Sequence, residues 1–506
     1  MSQASQTRPP IVWCVGGSDS SAHAGLQADL RTGQDLSCHV QTIVTCTTAQ
    51  NSKRVDLVEP VSLSMFDGQW QTLLDDVLPD AIKVSLLPTP ELVKACSEWL
   101  SRMKRQQPNI KVVFDPVMAA SSEAGNRLQQ DNAAENLLTI MLPHVDIITP
   151  NLMEFEALTG LLGQSNPHTL AQSMIELFGV NQLSWLLKGG HSDDASATDW
   201  WFKGEEIHGF SSPRLRVHNT RGTGCTLSTA LASFLAHGYA LEDAITLAKA
   251  YITGALKSGV QIGQGAGPLG RPGWPSKLDD FPEILSTSKM PLPMESFASA
   301  QQGFYGLYPV VDSVSWLALV LKQGVKVAQL RIKESNSSDL DDQIREAIQL
   351  GQEYQAQIYI NDYWQKAIEF GAYGVHLGQE DLMTADLQAI QAAGLRLGIS
   401  THGYFEIARA KNFQPSYIAL GHIFPTQTKD MPSQPQGVMR LQVYANLLKE
   451  AFPCVAIGGI NQQGFASVAQ TGVNCVAVVS AITQAEHPVE ATNKLMQLFE
   501  EAQQEA

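Results

Sequence analysis

The sequence predicts two α/β domains in tandem, an open doubly wound sheet followed by a closed (β/α)8 barrel. Three observations carry that reading. The chain has 506 residues, and at about 150–250 residues per domain that length asks for two or three domains. A Pro-, Gly- and Ser-rich stretch around 268–300 sustains no helical or strand period and reads as a connector. On both sides of it, short β-branched runs alternate with helical patterns, as parallel strands covered by helices would.

Before the connector the runs are IVWCVGG, VQTIVTCTT, IKVVFDPVM, VDIITPN and LSWLLKGG, which predict an open sheet with helices on both faces. After it there are eight: YGLYPVV, VKVAQLRI, QIYIND, YGVHLGQ, LRLGIST, YIALGHIF, CVAIGGI and VNCVAVVS. Eight βα units in about 200 residues describe a compact TIM-type barrel. The expected boundaries are 1–270 for the sheet domain, 271–300 for the linker and 301–506 for the barrel.

Composition narrows the function. An apolar fraction of 44% with 17% charged residues is that of a globular protein. The net charge of −16 argues against nucleic acid or an anionic membrane as partner. Any anion bound here must be met by a local cluster of cations or backbone N–H groups. Cys14, Cys38, Cys46, Cys96, Cys225, Cys454 and Cys475 are scattered, odd in number and without CxxC spacing, so a reducing, cytoplasmic setting is expected. The polar start MSQASQTRPP lacks a signal-peptide core, and no apolar run of about 18 residues predicts a membrane span.

In a (β/α)8 barrel, ligands sit where the carboxyl ends of the strands converge. Polar residues gather there. Gln329, Arg331 and Lys333 alternate with apolar neighbours, so they share one side of their strand. Asn361 and Asp362 end the third strand; His376, Gln379 and Asp381 follow the fourth. Ser400 ends the fifth; Thr426, Thr428 and Lys429 follow the sixth; Gly458 and Gly459 end the seventh, and Ser480 the eighth. Singly, such residues more often meet solvent, make turns or cap helices. Their joint occurrence at seven of eight strand ends favours chemistry. Arg331, Lys333 and Lys429 can neutralise a pyrophosphate, Asp362 and Asp381 are hard ligands for Mg²⁺, and Gly458–Gly459 lets backbone amides approach a second phosphate.

The order QLRIK, YIND, VHLGQED, GIS, FPTQTK, AIGGI and VVSAI resembles thiamine phosphate synthase over residues 303–500. The resemblance implies joining of 4-amino-5-hydroxymethyl-2-methylpyrimidine diphosphate to a thiazole phosphate with release of pyrophosphate. It assigns Gln329, Arg331, Lys333, Asn361 and Lys429 to the pyrimidine diphosphate, and Asp362 and Asp381 to Mg²⁺. Ser400 would sit near the leaving pyrophosphate, and Thr426, Thr428, Gly459, Val479 and Ser480 would anchor the thiazole phosphate. The chain departs from the family at His422 and Gly403.

In the first half, NTRGTGCTLSTALASFLAHG places Gly222 and Gly224 in a tight turn before a small-residue helix, an arrangement suited to an anion. Cys225 falls in the first turn, where the helix field is expected to lower its thiol pKa. With GGSDSSAHAGLQADLRT, DPVM, TPNLMEFE, LKGGH and TDWW in order, the half resembles hydroxymethylpyrimidine/phosphomethylpyrimidine kinase, a ribokinase-like family, over about residues 10–270. The resemblance implies Gly17, Asp29, Gln50 and Val117 around the pyrimidine, and Asn151, Glu154 and Lys188 for Mg·ATP. The amides of 222–225 would stabilise the transferring phosphoryl group, with Cys225 as base. ATP would be co-substrate. The first loop departs from the family: Ala22 and His23 replace two glycines, and Arg221 stands where His is usual.

These readings make a bifunctional enzyme of thiamine biosynthesis acting on small pyrimidine and thiazole phosphates. Two alternatives stay open at this level. The first half is only a pyrimidine-binding module, or the barrel is a sugar-phosphate isomerase. A homo-oligomer is also left open.

Overall fold

The computed structural model describes residues 8–118, 137, 139–162, 166–178, 183–190, 195–286, 295–301, 303–333, 339–426 and 434–505. The chain divides into two compact units, Met1–Ser288 and Lys289–Ala506.

In the first unit, ten strands form one sheet. They are β1 (Ile11–Asp19), β2 (His39–Gln50), β3 (Val55–Pro60), β4 (Ala81–Val84), β5 (Lys111–Phe114), β6 (Ile147–Ile148), β7 (Ser184–Leu187), β8 (Ser196–Lys203), β9 (Glu206–Pro213) and β10 (Glu283–Ser286). Their spatial order is β10-β9-β8-β7-β6-β5-β4-β1-β2-β3. The segment β2-β1-β4-β5-β6-β7 is parallel, and antiparallel strands extend both edges. Burial on both faces explains why IVWCVGG reads as one unbroken apolar run. Beneath β1, Trp13 meets Trp70 edge-on, and Trp70 stacks on Trp99 at 5.7 Å between centroids. The strand order reverses at β1, so its carboxyl end opens onto the crevice where ligands bind in such sheets.

The expected linker of 271–300 is too long at both ends. Gly273 donates its amide to Asp35 (2.9 Å), Trp274 packs edge-on against Phe234, and β10 pairs antiparallel with β9, so 271–286 belongs to the first sheet domain. At the other end, Phe297 donates its amide to the carbonyl of Gln414, and the Ser416 hydroxyl donates to Ala298 (2.6 Å), which joins this segment to the barrel.

The second unit is a closed barrel of β11 (Gly306–Val311), β12 (Val327–Leu330), β13 (Gln357–Asn361), β14 (Gly374–Leu377), β15 (Arg396–Thr401), β16 (Tyr417–Leu420), β17 (Cys454–Ala456) and β18 (Cys475–Val478). All neighbours pair in parallel, and β18 closes on β11. Each strand falls on one of the eight runs read from the sequence. Phe304, Tyr308, Tyr359 and Tyr417 fill the interior with aromatic rings. Gly398 makes room for them, because a Cβ there would lie 2.1 Å from the Tyr417 ring. All seven cysteines are free. Among the described residues, no helix is long and apolar enough to cross a membrane.

Candidate active sites

In the first unit, the site forms where the β1 loop meets the helix Thr223–Ala236. The Asp19 carboxylate organises that loop by accepting from the amides of Ser21, His23 and Ala24. The helix begins at Gly222, whose φ of 83° suits glycine, and no side chain caps it. A Cβ on Gly222 would sit 2.2 Å from the carbonyl oxygen of His23, so the two loops touch backbone to backbone. The amide of Gly25 donates to the Cys225 sulfur.

Lys188, at the end of β7, pairs with Asp115 (2.9 Å) and lies 3.7 Å from Glu154. A Cβ on Gly224 would lie 3.4 Å from both the Lys188 Nζ and an Asp115 oxygen. The pair therefore rests against the glycine turn. Burial lowers the Lys188 pKa, but the two carboxylates outweigh it and hold the group above its ordinary value. Asn151 and Glu154 form a reciprocal capping box on the helix Leu152–Thr159, so their three-residue spacing has a structural use as well. Asp115 was not singled out from the sequence; its signal was the DPVM motif after β5.

Two expectations are overturned. Cys225 does not have a lowered pKa. Burial pushes its thiol up to about 11, with Asp29 and Asp115 adding to the rise while Lys83 and the Gly25 amide oppose it. Desolvation of the thiolate exceeds the helix field. Asp29, expected beside the pyrimidine, is wholly buried. Its carboxylate accepts from Lys83 (2.8 Å) and from Thr229 (2.7 Å), which leaves it no surface for a ligand.

The other residues expected around the pyrimidine are Gly17, Val117 and Gln50. Gly17 lies two residues before the end of β1, and its carbonyl lies 2.5 Å from where a Cβ of Gly25 would be. Val117 donates its amide to the Asp115 carbonyl. Gln50 accepts from Arg221 (3.1 Å), the residue just before the glycine turn. His23 is 7% exposed, and its Nδ1 has no hydrogen-bond partner among the described residues.

In the barrel, the strand ends bring the expected groups together. Gln329 is buried on β12 and donates to the Tyr308 hydroxyl (3.4 Å). Arg331 follows, its amide bonded to the Val311 carbonyl, with Lys333 exposed beyond it. Asn361 ends β13 and donates to Asp362, which has a φ of 62°. Burial and then the neighbouring Asp381 lift the Asp362 carboxyl to about 6, with Arg331 and the Asn361 amide opposing them. Two neighbouring carboxylates at adjacent strand ends supply hard oxygen ligands suited to a divalent cation, so the residues fit Mg²⁺.

Ser400 is half-buried at the end of β15, and its hydroxyl lies 2.8 Å from His376. Gly458 and Gly459 after β17 have φ of 101° and 67°. A Cβ on Gly459 would be 2.5 Å from the carbonyls of Phe424 and Pro425, which brings the sixth and seventh strand ends into contact. Val479 and Ser480 follow β18, and Ser480 opens the short helix Ser480–Thr483. Thr426 is described; Thr428 and Lys429 lie outside the described residues.

Comparison with known proteins agrees with this division. The family described as phosphomethylpyrimidine kinase matches residues 19–270, and the family described as thiamine monophosphate synthase matches 307–482. A thiamine-phosphate synthase of Serratia proteamaculans is 60% identical over 195 residues, which cover 38% of this chain and 92% of that protein. The one from Pectobacterium atrosepticum is 57% identical over 195 residues, with the same shares. Among solved structures, a phosphomethylpyrimidine kinase from Clostridium difficile is similar at 33% identity and a TM-score of 0.42, covering 48% of this chain and 98% of that one.

Proposed function

The chain belongs to the thiamine phosphate synthase family through its barrel and carries a phosphomethylpyrimidine kinase domain ahead of it, and from that premise we propose how its two sites act in sequence. It is a bifunctional transferase. The kinase site phosphorylates 4-amino-5-hydroxymethyl-2-methylpyrimidine and then its monophosphate, with ATP as phosphoryl donor. The barrel site consumes the resulting diphosphate together with the thiazole phosphate.

The observation that carries the synthase reading is the meeting of Arg331, Asp362 and Asp381 at adjacent strand ends. Arg331, Lys333 and Lys429 would neutralise the diphosphate, and Gln329 and Asn361 would orient the pyrimidine. Mg²⁺ on Asp362 and Asp381 would supply further charge neutralisation of the diphosphate. The methylene C–O bond breaks with its electron pair leaving on pyrophosphate, and the carbocation is captured by the thiazole nitrogen. Ser400 would donate to the departing oxygens, where a positioned donor acts on charge as it develops. Thr426, Thr428, Gly459, Val479 and Ser480 would hold the thiazole phosphate.

At the kinase site, the amides of 222–225 and Lys188 would receive the transferring phosphoryl group, with Asn151, Glu154 and Asp115 around Mg·ATP. Phosphoryl transfer depends chiefly on positioning and charge stabilisation. Burial keeps Cys225 a thiol at rest, so only its minor thiolate form would act as base, and only the alcohol substrate, whose hydroxyl proton must leave, needs one. The monophosphate presents an oxygen that is already anionic near neutral pH.

The test supplies purified protein with ATP, Mg²⁺, the pyrimidine alcohol and thiazole phosphate, and measures thiamine phosphate. Product is expected. If product forms only when pyrimidine diphosphate is supplied preformed, the kinase assignment fails and the synthase assignment stands.

A further inference from the structure

One hydrogen-bonded chain crosses the barrel interior and joins two residues of the synthase site. It begins at Gln329 on β12, whose Nε2 donates to the Tyr308 hydroxyl on β11 at 3.4 Å. The Tyr308 and Tyr417 hydroxyls are 2.8 Å apart, and the Tyr417 hydroxyl lies 2.7 Å from His376 Nδ1. His376 Nε2 then lies 2.8 Å from the Ser400 hydroxyl. Gln329, Tyr308, Tyr417 and His376 are each at most 5% exposed, while Ser400 keeps part of its surface.

The proton inventory gives this chain a direction. An amide nitrogen can only donate, so the Tyr308 oxygen accepts from Gln329 and its single O–H is free for Tyr417. Tyr417 then accepts from Tyr308 and donates to His376 Nδ1. A neutral imidazole that accepts at Nδ1 carries its proton on Nε2, and that proton points to Ser400. Ser400 therefore accepts from His376, and its own O–H is left to donate into the site. Burial of the intervening links excludes competing water, and bonds in such chains strengthen one another.

We propose that Tyr308, Tyr417 and His376 are positioning residues of the synthase reaction, which fix the Ser400 hydroxyl as a hydrogen-bond donor to the departing diphosphate. The proposal rests on the synthase reading above. It predicts that a residue buried far from the strand ends controls turnover through Ser400 alone.

Tyr417→Phe removes one hydroxyl at the centre of the chain and keeps the ring that fills the barrel. Condensation is assayed with preformed pyrimidine diphosphate and thiazole phosphate, so the kinase site plays no part. The expected result is a fall in kcat of about tenfold, the worth of one positioned hydrogen bond in the transition state, with KM within about twofold. In a Ser400→Ala background, the same substitution is expected to cost less than about twofold, because the group it acts through is gone. Losses that multiply in the double variant, or an unchanged kcat in a folded Tyr417→Phe protein, overturn the proposal. Should Tyr417→Phe fail to fold by circular dichroism, Tyr308→Phe decides by the same cycle, with a loss that vanishes in the Ser400→Ala background. A wild-type chain that does not condense the supplied substrates sinks the functional reading itself, and active wild type sustains that reading whatever the variants do.

Discussion

The two sites handle similar anions with opposite arrangements of charge. In the kinase unit, the lysines are already paired: Lys188 with Asp115, and Lys83 with Asp29 below the helix Thr223–Ala236. In the barrel, Arg331 and Lys333 have no ion-pair partner within 4 Å among the described residues, and it is the carboxyls Asp362 and Asp381 that crowd each other. On the proposed roles, the barrel cations would meet an incoming diphosphate directly. The sheet domain must exchange one internal pair for contact with a nucleotide. The first arrangement favours tight anion capture; the second keeps a buried lysine charged when no ligand is present.

Substitutions can break this contrast, and their effects should be graded. Arg331→Ala is expected to reduce condensation by about 10³, since it removes a charge-assisted contact on the leaving group, with pyrimidine phosphorylation unchanged in a coupled ATP assay. Loss of both activities would contradict two independent sites. Lys83→Met strands the Asp29 carboxylate in the core and should cost the first unit about 3–5 kcal/mol in denaturant melts. Pairing it with Asp29→Leu should restore most of that stability, and no restoration would mean that the pair does more than compensate itself.

Cys225→Ala sharpens the contrast further. Phosphorylation of the alcohol should fall about 10²-fold, while the monophosphate reaction falls by less than tenfold, because only the first must lose a proton. Equal losses would refute a base role. The same thiol should alkylate about tenfold faster per pH unit between about pH 7 and pH 9, because the thiolate fraction grows in proportion below its pKa. A plateau in that range would contradict the raised value of about 11. The smallest effect is expected from His23→Gly, a change of less than about threefold in either kinase step, since the Gly222 contact uses the His23 backbone. A gain above tenfold would identify the ring as a brake.

The parts of this molecule that the sequence made legible are those set by local pattern. All eight barrel strands were, because each is buried and seven of them end in polar residues at one rim. The same held for β1, β2, β5, β6 and β7. The short parallel strand β4, at four residues, was not read, nor were the antiparallel strands β3 and β8–β10, whose partners and edge positions are properties of the whole sheet. For β10 this converted ordered structure into an apparent linker. At the sites, side chains on strand ends and in the glycine turn could be picked out as candidates from local pattern. Burial of Asp29 against Lys83 was not, because it depends on β4 lying beside β1, an order that no local motif encodes. The Cys225 thiol was misjudged for a related reason: a helix field can be inferred from position, whereas desolvation requires knowing what surrounds it.

Gly398 sets an order on how this barrel can change over evolutionary time. Even a methyl at that position would lie 2.1 Å from the Tyr417 ring, so no larger residue can be accepted while the tyrosine is present. Tyr417 would have to shrink first, and that step removes its hydroxyl from His376. A lineage would take the two substitutions in that order, and under the positioning role proposed for Tyr417 its first step would weaken the enzyme, which makes this pair of positions a one-way gate to variation.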